Sequence, residues 1–361
     1  MHDGFERECQ MREVSREGMR ELFVTCAGSG ATGLAPIADR LTQTQAAGVL
    51  AAEFFGPNLN GSSHAVAREV LAQVAMPVTW VQGGEQGDLL GGIHLRAMAG
   101  VQIRPLALDG VLVGTVVDGP YAVECTLGGI HCPDTSLPND QQARDTFERI
   151  EHALALADMD FSHVARTWLY LDDILSWYRP FNQVRTDFFN ERGVFDGIVP
   201  ASTGIGGSNP HGAAMVAGAY AVKAKDPAVR VQALPSPLQC PALQYGSSFS
   251  RAVEVAMPDM RRVFVSGTAS IAPGGETVHV GDVLAQTERT CDVVAAILRS
   301  RDMDWEHVTR ATAYVRYAED AGVFEQYRQA AGLPALPVVV AHNVVCRDDL
   351  LFELEVDAAR A

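Results

Sequence analysis

Two carboxylates share one face of an alternating stretch near the end of the chain. In His342–Glu355 (HNVVCRDDLLFELE), Leu351, Glu353 and Glu355 fall on one side of a strand, and Leu350, Phe352 and Leu354 on the other. Acidic side chains are seldom fully buried without a partner. Such a face is therefore either solvated, or it sets a carboxyl group in a cleft where it can transfer a proton. Arginine and tyrosine cluster in the same way. Arg166, Trp168, Tyr170 and Asp172 share one strand face, and Arg310, Thr312, Tyr314 and Arg316 share another. Few Lys or Glu accompany them, which is unusual for a solvated face. A guanidinium matches a carboxylate bidentately and a tyrosine adds a directional hydroxyl. The two readings are a carboxylate-binding face and a solvent-facing polar side.

Other segments carry weaker signals. Pro200–Gly207 (PASTGIGG) reads as a Gly-rich loop, either a tight turn or a cradle whose N–H groups and Thr203 hydroxyl donate to an anion. No lysine follows, so it is not a P-loop. Cys346 is a candidate nucleophile, but the sequence places no histidine to complete a dyad, and a structural thiol is the commoner case. Tyr245, Phe249 and Arg251 (in YGSSFSRA) form another Arg–aromatic group, with edge packing as the alternative. Gly28, Gly30 and Gly33 match G-x-G-x-x-G after a strand at Glu21–Ala27, with a helical stretch to Phe55 and Glu53 placed as a ribose-binding acid. Pro36 sits early in that stretch, no series of βα units follows, and Gly56–Ser63 is a loop. A Gly-rich turn is preferred to a dinucleotide site.

These groups need elements to position them, and the chain supplies a repeat. Asp158–Tyr170 (DMDFSHVARTWLY) aligns with Asp302–Tyr314 (DMDWEHVTRATAY), 144 residues on. The offset carries the apolar stripe Phe147, Ile150, Leu154 onto Cys291, Val294, Leu298. Tyr121–Ile130 pairs with Arg262–Ile271 as the preceding strand. Each copy reads strand, helix, strand, second helix, final strand. The second helices fall near Trp177–Asn190 and Ala321–Ala331, the final strands at Ala213–Val222 and Leu350–Val356. The boundary is the Pro-rich Lys223–Pro241. This predicts an N-terminal region (1–120), a first module (121–226) and a second module (240–361) bearing the acidic strand. Residues 1–20 read as a frayed or helical lead-in. Ala65–Val74 reads as helical, and Val78–Val81, His94–Ala97, Val101–Leu106 and Val111–Val117 as strands.

The 361 residues carry a formal charge of -16, which argues against nucleic acid and anionic membranes as partners. Seven cysteines, an odd number without CxxC spacing, argue against a disulfide framework or zinc site and for a reducing, cytoplasmic setting. The charged N-terminus is not a signal peptide, and no run approaches the ~20 apolar residues of a membrane span.

The repeated unit resembles the Rid (YjgF-like) module, an α+β fold that assembles as a trimer with sites between modules. Residues of about 120–361 resemble the chorismatases, which carry such modules in tandem and remove pyruvate from chorismate. The resembling segments are Arg166–Tyr170, Pro200–Gly206, Tyr245–Gly246, Phe249–Ala252, Gly267–Ile271, Val278–Asp282, Tyr314–Arg316 and Cys346–Glu355. The resemblance implies Glu353 as the acid, with Cys346 as the second catalytic-site residue. It implies substrate contacts from Arg166, Tyr170, Thr203, Gly206, Tyr245, Arg251, Gly267, Tyr314, Arg316 and Arg328, with neither metal nor organic cofactor. Arg328 is displaced by two residues from the family's helix arginine, where Gln326 stands. Gly267 and Cys346 match the branch that makes 3-hydroxybenzoate, while the hydrolytic branch has alanines at both. A mixed 3-/4-hydroxybenzoate branch is a further alternative. So are a Rid-type imine deaminase, against which the arginine-free Pro337–Ala341 counts, and a non-catalytic binder of aromatic carboxylates. An N-terminal third unit would complete a pseudo-trimer, making a monomer or small homo-oligomer sensible.

Overall fold

A computed structural model describes residues 9–28, 48–56, 76–83 and 90–361, with only the backbone at Tyr245. Three sheets follow one another along the chain. The first holds β1 (Gln10–Arg16), β2 (Met19–Ala27), β3 (Gly48–Gly56), β4 (Val78–Gln82) and β5 (Gly92–Ala99), in the order β1-β2-β5-β3-β4. The second holds β6 (Ile103–Leu108), β7 (Val111–Asp118), β8 (Ala122–His131), β9 (Val164–Leu171), β10 (Ala201–Gly206) and β11 (Met215–Ala224), in the order β10-β9-β11-β8-β7-β6. Helices α1 (Asn139–Ala155) and α2 (Ile174–Glu191) belong to it. The third holds β12 (Arg230–Leu234), β13 (Ala252–Met257), β14 (Met260–Ala269), β15 (Val308–Val315), β16 (Val338–His342) and β17 (Phe352–Arg360), in the order β12-β13-β14-β17-β15-β16. Its helices are α3 (Val283–Arg299) and α4 (Val323–Ala330).

The three sheets share one pairing scheme. In each, a middle strand (β3, β9, β15) runs parallel to the next strand and antiparallel to the last one. The N-terminal region thus repeats the topology of the two modules legible in the sequence. Short bridges stitch each junction: Gln82 to Ser208, Gly206 to Val344 together with Ala201 to Ser250, and Val340 to Gly91. With each sheet and its helices counted from here on as a module, numbered in chain order, these close a ring of first to second, second to third, and third to first. Phe55, Tyr170 and Tyr314 occupy equivalent positions on the middle strands and meet at the centre, with Phe55 5.8 Å and 6.2 Å from the two tyrosine rings.

The repeated Asp-Met-Asp motif is a demand of this fold. Asp158 and Asp302 end the helices with φ of 54° each, a left-handed conformation that Asp tolerates better than most residues. Asp160 and Asp304 then cap a short turn, with His163 and His307 reaching back to the cap N–H. Helices α1 and α3 lay their apolar stripes on the outer faces of their sheets: Phe147, Ile150 and Leu154 in one core, Cys291, Val294 and Leu298 in the other. The inner faces meet in a core holding Phe23, Phe55, Trp168, Tyr170, Tyr220, Phe264 and Tyr314. Buried ion pairs join the sheets there: Glu124 accepts from Arg16 and Arg96, and Glu21 from Arg96 and Arg262.

Several expectations are corrected. Residues 10–16 form a strand, not a helical lead-in, because Gln10–Arg16 pairs along β2. Residues 48–56 are β3 rather than the end of a helix. The expected helix at Ala65–Val74 lies outside the described residues, as do Gly30 and Gly33. Pro200–Gly207 is mostly strand β10, because its backbone pairs in parallel with β9. The second sheet starts at Ile103, ahead of the boundary at 120, and β12 lies inside the stretch read as linker. Sheet register sets Ile130 level with Thr268, three residues from the sequence pairing with Ile271; the connection 270–282 is longer than 132–138, which absorbs the difference. Cys9 and Cys26 form a disulfide. They stand opposite each other at the end of the β1–β2 hairpin, a proximity that spacing alone does not reveal. Among the described residues no helix is long and apolar enough to cross a membrane.

Candidate active site

Strand β17 runs between β14 and β15, so both of its edges are paired. Phe352, Leu354 and Val356 pack into the core beneath α3. Glu353, Glu355 and Asp357 point to the inner side, and all three are buried. The solvated reading of this face is thereby excluded.

The two glutamates lie in opposite environments. Glu355 is pinned: Arg166 and Arg310 approach within 2.7 Å, Thr203 donates at 2.5 Å and Tyr314 at 3.1 Å. The arginines and these hydrogen bonds outweigh its burial and hold its pKa down. Glu353 has neither hydrogen bond nor ion pair among the described residues. Burial, and then the charge of Glu355, push its pKa up to about 8. At the equivalent positions of the other sheets stand Gly92 and Val216, opposite Phe55 and Tyr170 as Glu353 is opposite Tyr314. The acid is therefore a feature of one junction, that between the second and third modules.

The walls around Glu353 come from both modules. A bulge in β14 between Val265 and Thr268 brings Gly267 against its carboxyl group. The Gly267 N–H donates to Thr203 Oγ1 at 3.0 Å, tying β14 to β10 of the second module. Cys346 hydrogen-bonds Tyr178 of α2, and burial, then the nearby Glu353, push its thiol up to about 12. A thiol so raised is a poor nucleophile. Arg251 is close enough to act on Glu353 electrostatically. Its guanidinium lies 5.7 Å from the Phe249 ring centroid, and that of Arg185 from α2 lies 5.8 Å from the same ring. Two buried cations thus lie beside one aromatic ring near the acid.

The structure redistributes the residues expected at this site. Glu353, Cys346, Gly267, Thr203 and Arg251 come together. Arg166 and Tyr314 do bind a carboxylate, but it is that of Glu355, and both are wholly buried. Tyr170 donates to Glu53, the residue placed as a ribose-binding acid, which also accepts from Arg310. The Thr203 hydroxyl likewise serves Glu355 rather than an open cradle. Gly206 is a packing glycine: its N–H donates to Val344, and a side chain would collide with Ile174 and Val344. Arg316 holds the Arg347 carbonyl and Asp348. Arg328 is bound to Glu325 and the Leu333 carbonyl on α4, which belongs to the third module and does not face α2. The Tyr245 backbone ends a short turn at Ala242–Tyr245. Tyr178 and Arg185 were missed. Arg185 had a legible signal, since it interrupts the buried stripe Ile174, Trp177, Phe181, Phe188 of α2.

The comparisons with known proteins agree with this architecture. Residues 242–360 match the family model described as endoribonuclease L-PSP, and residues 122–217 match the chorismatase FkbO/Hyg5-like N-terminal model. A solved chorismatase structure superposes with a TM-score of 0.67, covering 97% of this chain and 100% of its own, at 22% identity. The fold is therefore α+β, built of tandem Rid/YjgF-like modules. A chorismatase from Streptomyces rapamycinicus is 31% identical over 225 residues, 55% of this chain and 65% of that protein. A 3-hydroxybenzoate synthase from Streptomyces hygroscopicus is 29% identical over 229 residues, 55% and 64% of the respective chains. Together the sequence and fold comparisons support the chorismatase family for this chain. The matched stretch spans slightly less than two thirds of these relatives' length.

Proposed function

We propose that the protein converts chorismate to 3-hydroxybenzoate and pyruvate, with Glu353 as the acid. The observation that carries this reading is a buried carboxyl group without a partner, kept in its acid form up to about pH 8, at one inter-module junction. Chorismate is an enol ether bearing two carboxylates. Protonation of its methylene carbon gives an oxocarbenium ion and weakens the ether bond. An acid with a raised pKa supplies that proton near neutrality. Arg185 and Arg251, whose guanidiniums meet at Phe249, would hold the carboxylates and orient the methylene toward Glu353. Attack of the neighbouring ring hydroxyl, rather than water, on the ether-bearing ring carbon then breaks the ring C–O bond and expels pyruvate; the hydroxyl proton returns to Glu353, and the epoxide so formed isomerises to the aromatic acid, with no net redox change and no water consumed. Gly267 and Cys346 support this branch over the hydrolytic one, and the synthase among the relatives is consistent with it.

The test is incubation of purified protein with chorismate and chromatography of the products. Equimolar pyruvate and 3-hydroxybenzoate are expected, and no pyruvate release would overturn the reading. Full activity in Glu353→Gln would overturn the role of Glu353.

A further inference from the structure

Glu355 is a buried ion that this mechanism does not use, two residues from the acid and on the same strand face. It takes up Arg166, Arg310, the Thr203 hydroxyl and the Tyr314 hydroxyl. Its equivalents in the other sheets are His94 and Gly218, opposite Glu53 and Trp168 as Glu355 is opposite Thr312, so the fold does not require a carboxylate there. The groups that face Glu353 are Glu355 on its own strand, Arg166 on β9, Arg251 ahead of β13, Cys346, and Tyr178 on α2. Arg166 is the cation that would otherwise be drawn to Glu353. It donates instead to Thr203 and Glu355 through Nη2, at 2.6 Å and 2.7 Å. Thr203 turns its hydroxyl to Glu355 and its methyl toward the Gly267–Glu353 contact.

We infer that Glu355 is a decoy counter-ion: it sequesters Arg166, so that this arginine does not pair with Glu353 and the acid stays protonated. Glu355 is thus a positioning residue that acts through charge, without touching substrate. An arginine bound to Glu353 would stabilise the carboxylate and leave no proton to transfer. The inference rests on Glu353 being the acid of the proposed reaction.

The experiment is the pH profile of pyruvate release in Glu355→Gln and Arg166→Met. Glu355→Gln frees Arg166, and the pH above which activity is lost is expected to fall by one unit or more. Arg166→Met removes the competing cation, and that pH is expected to rise. An unmoved limb in either folded variant overturns the inference. Glu355→Gln leaves the buried Arg166 without its ion-pair partner, while Arg310 keeps Glu53. If it gives no cooperative thermal unfolding, Arg166→Met decides, and a limb that fails to rise overturns the inference. If chorismate is not turned over at all, the carboxyl of Glu353 is titrated directly by ¹³C NMR in labelled protein, assigned by its loss in Glu353→Gln. The same opposite-signed shifts are expected there, so failure of the reaction and failure of the decoy role are separable.

Discussion

A β-carbon at position 267 would overlap Glu353 Oε1 and lie 3.0 Å from its Cδ. No side chain fits there while the carboxyl keeps its place. Gly267→Ala is therefore expected to displace Glu353, not merely to narrow a pocket. A misplacement of roughly 1 Å costs about 100-fold in rate. Steady-state pyruvate release should fall by that order, and the ratio of aromatic products should change. Unchanged kinetics would show that the acid tolerates the methyl group.

The raised pKa of Glu353 has a signature in stability as well as rate. A carboxyl group raised on folding is neutral in both states at low pH. It ionises first in the unfolded chain, so the native state loses stability from about the ordinary carboxylate value upward, and the loss levels off above about pH 8. Glu353→Gln cannot ionise. Its Tm should overtake that of the natural protein as pH rises from 5 to 8, by the equivalent of up to about 4 kcal/mol. Parallel Tm–pH curves would contradict a raised pKa.

Cys346 is expected to shape the site rather than attack. With the thiol pushed up to about 12, alkylation by iodoacetamide at pH 7 should be slow in the native protein. Cys346→Ala should retain pyruvate release within about tenfold while shifting the product distribution, since a nucleophile's loss costs far more. Complete loss of pyruvate release in a folded variant would restore a covalent role.

The two arginines beside the Phe249 ring should govern substrate affinity. Arg185→Met and Arg251→Met are each expected to raise KM for chorismate by roughly 10–100-fold, the value of a hydrogen bond to a charged group. Arg328→Ala should leave KM within about twofold. Equal effects at all three positions would mean that the clamp has been misassigned.

The sequence carried much of this. Strict alternation marked β17, and an offset of 144 residues marked two modules, because repeated packing demands repeated residues. The Asp-x-x-His boxes show why that match was strong: caps tolerate few substitutes. The first sheet was obscured because its repeat lies in strand order, not in residue identity; Phe55 stands where the modules have tyrosine. The arginines were found by type and misjudged by environment. Arg166 and Arg251 look alike in sequence, yet one faces a protein carboxylate and the other the acid's surroundings. Such distinctions depend on which sheets face each other, and local periodicity says nothing about that. Arg185 was overlooked although a cation inside an apolar helical stripe is itself a signal.

The ring closed by Gln82–Ser208, Gly206–Val344 and Val340–Gly91 has a thermodynamic consequence. A trimer of separate modules loses translational and rotational freedom each time it assembles, and its sites vanish on dilution. Here the peptide chain has already joined the three partners. The junction holding Glu353 is an intramolecular contact, with an effective concentration set by linkers rather than by the cell. Specific activity should therefore stay constant as the enzyme is diluted. At the other two junctions Gly92 and Val216 stand where Glu353 stands here, and neither offers a carboxyl group.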